Sequence, residues 1–491
     1  FVIQLEGKPV EGVLGWKDFM SKGLELNLKD SYQIKRNCDS SKSIATILYT
    51  SGTTGKPKGV PLTHANLLHQ MRSLTCIANP SPGAPVLSVL PIWHSYERSA
   101  EYYFFSCGCT QTYTTIKDLK NDLPKIKPVA MATVPRLWES IQAGFEDAVK
   151  KMPKVRQYVL NSAISNGSSY KLALRKVKSL MIEGVDNKNK LSAFGEVVLR
   201  WPLYSMSSLF LWPKILTKIC GGRLLFPISG GGAIAPHVDA FFESLGVEIL
   251  VGYGLTETSP VVSCRRPWRN IRGSAGQPLP ETEIKIVDLE NHKLKLFGQQ
   301  GLVMVRGPQV MCGYLGKKSE TLKVLDGDGW FNTGDLGMLL PDGSLVLTGR
   351  AKDTIVLSSG ENVEPGPLEE EIVSSPLIEQ VMLIGQDEKQ LAALVVPQVE
   401  RMLDWSRSQG LSLDGTLGVY PGNLDLRKLL RKEINQLLSN RINSRIEERV
   451  FGVALVEPFT IENGLLTQTL KQRRNKIVER DFSAIDKIYR S

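Results

Sequence analysis

Tyr49-Thr50-Ser51-Gly52-Thr53-Thr54-Gly55-Lys56-Pro57-Lys58-Gly59-Val60 is the stretch whose reading decides the fold. The run Thr46-Ile47-Leu48 before it reads as a strand, and Thr63-His64-Ala65-Asn66 after it reads as a capped helix start. Strand, polar loop, helix is the geometry of a phosphate cradle. Glycines let backbone N–H groups approach an anion, hydroxyls add donors, and Lys56 and Lys58 bring charge that a polyphosphate neutralises. A flexible Gly/Thr surface turn is the competing reading. The spacing is not Walker A, because Gly52 and Gly55 enclose only Thr53 and Thr54 where that motif needs four residues. A kinase or GTPase is therefore disfavoured.

Upstream, residues 1–45 carry Trp16 and Phe19 in an apparent helix and then a polar run toward Ser43. Phe1-Val2-Ile3-Gln4 is neither an initiator sequence nor a targeting segment, so the chain is expected to begin inside a longer one. Downstream, the alternation of strand, polar loop and helix recurs. Strands are predicted at 85–91, 128–135, 224–229 and 247–251, and a helix at 236–245. The second of these glycine loops is Ser229-Gly230-Gly231-Gly232, where a flat ring can lie against bare backbone. The last strand runs into Gly252-Tyr253-Gly254-Leu255-Thr256-Glu257. Repetition of this unit implies parallel sheets with a site at the carboxyl ends of the strands. His94 follows one such strand; it reads as a pocket residue or as a satisfied core histidine.

From Gly273 the pattern changes to short strands at 283–287, 302–306 and 345–348 between turn dipeptides, the mark of a small β-barrel or meander. Gly349-Arg350-Ala351-Lys352-Asp353 then opens a tail of domain size. In that tail Leu426, Leu430, Ile434, Leu438, Ile442 and Ile446 recur at steps of four, predicting one amphipathic helix.

With 42% hydrophobic and 22% charged residues among 491, disorder, collagen and a disulfide scaffold are excluded. The seven cysteines make no Cys-x-x-Cys pair and the five histidines no metal-ligand cluster, so a reducing compartment is the simpler reading. The formal charge of +10 is concentrated between Lys150 and Arg223, where fourteen Lys/Arg face three acids. That segment reads as a solvated helical face, as a docking face for an acidic carrier protein built on Lys171, Arg175, Lys176 and Lys178, or as a surface for anionic lipid. Within it, the aromatics of Trp201 to Pro213 fit either an interfacial membrane segment or buried helix packing. No nucleic-acid-binding module is legible.

Taken in order, the Thr/Gly/Lys loop, the His94 segment, Tyr253-Gly254-Leu255-Thr256-Glu257, Gly334-Asp335, Gly349-Arg350-Ala351-Lys352-Asp353 and the Lys471 segment resemble the motifs of the adenylate-forming, AMP-binding superfamily. The long 150–223 insert, Arg306-Gly307-Pro308-Gln309-Val310-Met311 and Leu466-Thr467-Gln468-Thr469-Leu470-Lys471 are similar to its long-chain fatty-acid ligase branch, most of all to plant plastid acyl-acyl-carrier-protein synthetases. The resemblance implies an α/β fold: a large domain at 1–351, lacking its upstream part, with parallel sheets, flanking helices and a small β-barrel, then a small mobile α+β domain at 352–491.

It also implies roles. Thr50, Ser51, Gly52, Thr53, Thr54, Gly55, Lys56 and Lys58 would hold the β- and γ-phosphates of ATP, and adenine would lie between Tyr253-Gly254 and Gly230, Gly231 and Gly232. Thr256 would contact the α-phosphate, Glu257 would hold Mg²⁺, and Asp335 would take both ribose hydroxyls with help from Arg350. Lys471 would bridge the fatty carboxylate and the α-phosphate, with Thr256 and Glu257 as the other catalytic residues. Lys352 would be the hinge, and Ser359, Gly360 and Glu361, with His94, would line the substrate and thiol path. The implied function is an ATP-dependent ligase that forms an acyl-adenylate and passes the acyl group to acyl-carrier protein or coenzyme A in the chloroplast. A non-catalytic acyl- or nucleotide-binding fragment is the alternative. A peptide-synthetase adenylation domain is a third reading, disfavoured because no carrier domain follows before Ser491.

Overall fold

A computed structural model of the chain describes residues 3–4, 11, 13–25, 41–50, 57–411, 424–441, 444–467 and 471–490. It divides into two compact units, 1–43 and 44–491. In the first, β1 (Ile3–Gln4) pairs in parallel with β2 (Leu14–Gly15), and α1 (Trp16–Glu25) carries the expected Trp16 and Phe19 with ring centroids 5.9 Å apart.

The second unit opens with β3 (Ile44–Thr50) and β4 (Lys58–Thr63), an antiparallel hairpin in which Leu48 faces Val60 and Thr50 faces Lys58. The expected strand, loop, helix is thereby corrected: a second strand intervenes before α2 (His64–Ser73). Val60 and Leu62 cause this, since they are buried with Met311 and Phe331 and need a strand's geometry to reach them. The N-terminus of α2 is closed by its own capping box, Thr63 Oγ1 accepting from Asn66 N at 3.2 Å while Asn66 Oδ1 accepts from Thr63 N at 2.8 Å.

Along the chain follow β5 (Pro85–Ser88), α3 (Ser95–Ser106), β6 (Thr110–Tyr113), α4 (Leu119–Ile126), β7 (Ala130–Thr133) and α5 (Pro135–Lys150). Three further helices, α6 (Lys154–Val177), α7 (Asn187–Phe210) and α8 (Trp212–Cys220), precede β8 (Phe226–Ser229), α9 (Pro236–Ser244), β9 (Leu250–Gly254), β10 (Val261–Cys264) and β11 (Gln277–Pro278). One sheet takes these strands in the order β11-β10-β9-β8-β7-β5-β6, parallel from β6 to β9 and antiparallel beyond. The strand expected at 247–251 lies at 250–254, because Val247 and Ile249 pack into the helical layer while Tyr253 and Gly254 pair with β10. Its end therefore carries the Tyr-Gly of the motif on the sheet itself.

Next, β12 (Glu283–Val287), β13 (Gly301–Arg306), α10 (Lys318–Leu322), β14 (Phe331–Leu339) and β15 (Leu345–Arg350) form a four-stranded antiparallel meander rather than a closed barrel. The tail contains the pair β16 (Ile355–Val356) and β17 (Asn362–Val363), α11 (Pro365–Val373), β18 (Ile378–Ile384), β19 (Leu391–Pro397), α12 (Val399–Ser408), α13 (Leu424–Ser439), β20 (Val450–Leu455), α14 (Arg474–Arg480) and α15 (Phe482–Arg490). In α13 Leu426, Leu430, Ile434 and Leu438 are buried as the period predicts. The helix ends at Ser439, however; Ile442 lies outside the described residues and Ile446 is exposed in a separate 3₁₀ turn. The period outruns the helix because spacing alone carries no stop signal.

The basic segment separates into three classes. Arg175 is inside, its Nε 2.7 Å from Glu243 Oε1, and Lys171 is largely covered, 2.9 Å from Glu248. Both are structural cations, which removes them from the expected carrier-docking face; Lys178 stays exposed and Lys176 half-buried. Of the aromatic stretch, Trp212 is buried and Trp201 is 57% exposed, so each of the two readings describes part of it. Among the described residues no helix is long and apolar enough to cross a membrane.

Candidate active site

The sequence places a glycine turn after β8, and Gly231 takes φ +80° there, in the left-handed region. A Cβ on Gly230 would meet Tyr96 Cζ at 3.0 Å, so the ring that lies against this backbone is that of Tyr96. Tyr96 is delivered by the start of α3, where His94 is the N-cap: its Nδ1 accepts from Tyr96 N at 3.2 Å. His94 thus has a structural occupation. Burial lowers its pKa, and the Lys471 ammonium lowers it further.

At the end of β9, a Cβ on Gly254 would overlap the Pro260 carbonyl, which requires glycine. The neighbouring Tyr253 donates its hydroxyl to Asp335 Oδ2 at 2.6 Å, while Arg350 Nε stands 2.8 Å from Asp335 Oδ1. Asp335 is 4% exposed and both its oxygens are engaged. Burial, then the Asp335 charge, holds the Tyr253 phenol well above its ordinary value. The Tyr253–Asp335–Arg350 chain joins the main sheet to the meander, and backbone register supports it, since Asp335 pairs with Arg350 across β14 and β15.

Thr256 and Glu257 occupy a single 3₁₀ turn after β9. Thr256 Oγ1 lies 3.4 Å from the buried Ser95 hydroxyl. Glu257 Oε1 accepts the Tyr314 hydroxyl at 3.0 Å, and its carbonyl accepts from Met311 N at 2.8 Å. Above the Tyr314 ring, 4.8 Å from its centroid, sits Lys58 Nζ. Lys58 is also 2.8 Å from Glu320 Oε2, and hydrogen bonds from Lys323 and Lys58 pull the Glu320 carboxyl down to about 2. Thr50 Oγ1 donates to Lys58 O at 3.4 Å across the mouth of the hairpin. Ser51, Gly52, Thr53, Thr54, Gly55 and Lys56 lie outside the described residues.

Lys471 comes from the tail. Its loop is held by Thr467, whose N–H donates to Lys471 O at 2.8 Å and whose hydroxyl accepts from Lys471 N at 3.0 Å. Lys471 reaches solvent, but the protein around its ammonium lowers its pKa, and Arg350 and Lys352 lower it further while Asp335 and Glu257 oppose them. The tail thus brings this cation into the field of Asp335, Glu257, Arg350 and His94. Lys352 lies in the turn after β15, where Ala351 N donates to Gly334 O at 3.0 Å. Ser359, Gly360 and Glu361 are elsewhere, in the turn between β16 and β17. Gly360 has φ +87°, and Glu361 faces Arg445 at 3.9 Å.

Four residues escaped the sequence reading. Tyr96 and Ser95 stand directly beside His94, but only the tertiary structure shows which glycine and which threonine they meet. Tyr314 and Glu320 lie between the legible motifs. The Met311-Cys312-Gly313-Tyr314 segment, continuous with the Arg306–Met311 motif, is the one signal that could have found Tyr314.

Residues 6–315 match the family model described as AMP-binding enzyme, and 352–411 that described as AMP-binding enzyme C-terminal domain. The chain is 40% identical to a probable acyl-activating enzyme 16, chloroplastic, of Arabidopsis thaliana, over 91% of this chain and 63% of that protein. It is 38% identical to the long-chain-fatty-acid–[acyl-carrier-protein] ligase AEE15, chloroplastic, of the same plant, over 97% of this chain and 66% of that protein. It therefore spans about two thirds of the length of these relatives. In fold it is similar to the adenylation domain of a carboxylate reductase from Mycobacterium chelonae, with a TM-score of 0.68 at 21% identity, covering 98% of this chain and 64% of that one.

Proposed function

The chain belongs to the AMP-binding enzyme family, and from that premise we propose that it activates a long-chain fatty acid with ATP as an acyl-adenylate and passes the acyl group to a phosphopantetheine thiol. The observation that carries this reading is the Tyr253–Asp335–Arg350 chain beside the Thr256–Glu257 turn at the end of β9, with the Lys471 cation of the tail in the field of Asp335 and Glu257. A fatty carboxylate is ionised at neutral pH and needs no base. Its oxygen attacks the α-phosphorus, the α–β anhydride bond breaks, and pyrophosphate leaves. Negative charge builds on the non-bridging oxygens of the α-phosphate in that step, and Lys471 and Thr256 stabilise it. Asp335, set by Tyr253 and Arg350, binds the ribose hydroxyls. Tyr96 marks where adenine lies against Gly230, and turns aside on binding. The 50–58 segment takes the outer phosphates, with Lys58 exchanging Glu320 for them.

Glu257 is a carboxylate fixed through one oxygen by Tyr314, a donor set that suits a hard cation sharing its remaining sites with phosphate oxygens and water. Mg²⁺ bound there supplies neutralising charge at the phosphates. The thiol step then displaces AMP. We assign residues 1–351 and 352–491 as two domains that rotate at Lys352, with Lys471 serving the adenylate-forming arrangement and the 359–361 turn, on the same tail, the thiol step. The similarity to the chloroplastic relatives supports a plastid location and acyl-carrier protein as acceptor, and coenzyme A presents the same phosphopantetheine thiol. A peripheral membrane contact through 150–223 belongs to the same reading.

ATP–pyrophosphate exchange by the purified chain tests the proposal. Exchange that depends on palmitate is expected; nucleotide binding without exchange would instead identify a non-catalytic fragment.

A further inference from the structure

Lys58 begins β4 at the mouth of the first hairpin, and the segment from Met311 to Lys323 is fastened across that mouth. Leu315 N donates to Gly59 O at 2.9 Å, and Lys317 Nζ donates to Pro57 O at 3.3 Å. Within the segment, Thr321 Oγ1 accepts from Tyr314 N at 2.9 Å, and a Cβ on Gly313 would come within 2.7 Å of Thr321 Cγ2, so that approach needs glycine. This frame holds α10 in place and carries Glu320 to the mouth. There each carboxylate oxygen takes one lysine: Oε2 lies 2.8 Å from Lys58 Nζ, and Oε1 lies 2.7 Å from Lys323 Nζ.

Three cations, Lys58, Lys317 and Lys323, thus converge on the mouth, and Glu320 is the one acid from 311 to 323. A single carboxylate leaves them in excess; a polyphosphate would balance them. The Tyr314 ring separates this cluster from Glu257, with Lys58 Nζ 4.8 Å from its centroid on one side and its hydroxyl donating to Glu257 Oε1 at 3.0 Å on the other. In the ligase reading Glu257 is the metal end, so the lysines stand toward the outer phosphates, which leave as pyrophosphate. Glu320 offers them what a phosphate offers, two anionic oxygens each bonded by an ammonium group. Those two bonds keep its carboxyl low, at about 2, and the charge persists through the neutral range.

We propose that Glu320 is a positioning residue that stands in for the outer phosphates between turnovers and reclaims Lys58 and Lys323 from pyrophosphate, so that it governs the release of this product. Lys323 is thereby added to the phosphate site. The carboxylate is tethered beside the lysines and competes at a fixed effective concentration, whereas a displaced pyrophosphate diffuses away. Bound pyrophosphate also feels the Glu320 charge a few ångströms off, which weakens it further. The proposal rests on the ligase reading for the identity of the product and goes beyond it in giving the exchange at Lys58 a direction.

Calorimetric titration of the full chain with magnesium pyrophosphate tests it. Glu320→Gln, which keeps size and removes charge, is expected to bind pyrophosphate about ten-fold more tightly than wild type at low salt, with the gap closing as salt rises. In turnover the same variant should show a lower KM for ATP together with a lower kcat, because release slows. Glu320→Asp restores the charge and should return pyrophosphate affinity to within about three-fold of wild type, while Lys323→Gln should weaken it about five-fold. Thermal melting checks that each variant folds. A residue that merely props Lys58 in place would give the opposite sign, so unchanged or weaker pyrophosphate binding by Glu320→Gln overturns the proposal, as does unchanged binding by Lys323→Gln. Palmitate-dependent exchange by wild type is measured alongside. Exchange without the tightening sinks the stand-in and leaves the ligase reading; tightening without exchange sinks the ligase reading and leaves the stand-in; a wild type that binds no pyrophosphate sinks the stand-in outright.

Discussion

Lys471 is the residue on which the proposed chemistry turns. Removing its ammonium in Lys471→Ala is expected to lower ATP–pyrophosphate exchange by about 10²–10³-fold, the usual loss when a donor to developing negative charge is deleted. Thioester formation from supplied acyl-adenylate should survive, since the proposed rotation of the tail at Lys352 carries Lys471 away from the adenylate before the thiol attacks. Equal loss in both half-reactions would count against the assignment. Glu97 is a different kind of residue. It is 2% exposed on α3, Ser88 donates to its Oε1, and burial pushes its carboxyl from the ordinary 4.5 to about 7, with the Ser88 bond opposing and Glu101 adding. Between those two values the folded chain holds a proton that the unfolded chain has released, so stability falls as pH rises from 4.5 to 7 and is level above. The full effect is on the order of 3 kcal/mol. Glu97→Gln should remove this slope and be the more stable protein above pH 7, as urea unfolding at a series of pH values will read. An unchanged slope would place the titration elsewhere.

Among the elements, α6 shows why a count of basic residues is a poor map of a binding face. Arg175 Nε reaches Glu243, its guanidinium also donates to the Asn270 carbonyl, and Arg272 pairs with the second Glu243 oxygen. At Gly167 a Cβ would approach the Ser244 carbonyl of α9's end to 2.8 Å, so a glycine inside the helix is there for close packing. Arg175→Ala leaves Glu243 with one partner in a buried setting and is expected to destabilise by about 3 kcal/mol. Lys178→Glu, at an exposed position, should stay within about 0.5 kcal/mol. Chemical denaturation of the two variants side by side decides between a structural and a solvated cation. Comparable losses would refute the division.

For the whole molecule, the question is whether two half-reactions share one arrangement. Tail and main body meet where α11 packs on β15, and the polar contacts between them include Arg401 with Asp147, 3.4 Å apart, and Gln300 with Glu364, exposed pairs of the kind a rotation breaks at small cost. A proline at 352 fixes φ at the proposed pivot. Lys352→Pro is therefore expected to retain palmitate-dependent exchange within a few-fold while thioester formation falls at least about ten-fold. Full turnover by that variant would remove Lys352 from the hinge.

What the sequence determined by itself was the class of fold, the order of motifs and the chemical types of the candidate site, because these live in short runs: a period of two or four, a glycine where backbone must pass, a lysine beside glycines and threonines. Tyr253, Asp335 and Arg350 were singled out as candidate site residues through the family resemblance that such runs carry. Only the tertiary structure decided that Tyr253 and Arg350 share the two oxygens of Asp335, that His94 caps the helix that lays Tyr96 on Gly230, and that Glu257 leans on Tyr314. Those partners lie far apart in the chain, and no local pattern encodes a contact whose two halves are set by different elements. The same holds for charge: fourteen basic residues are visible in 150–223, but whether a cation faces water or a buried carboxylate depends on what packs against its helix.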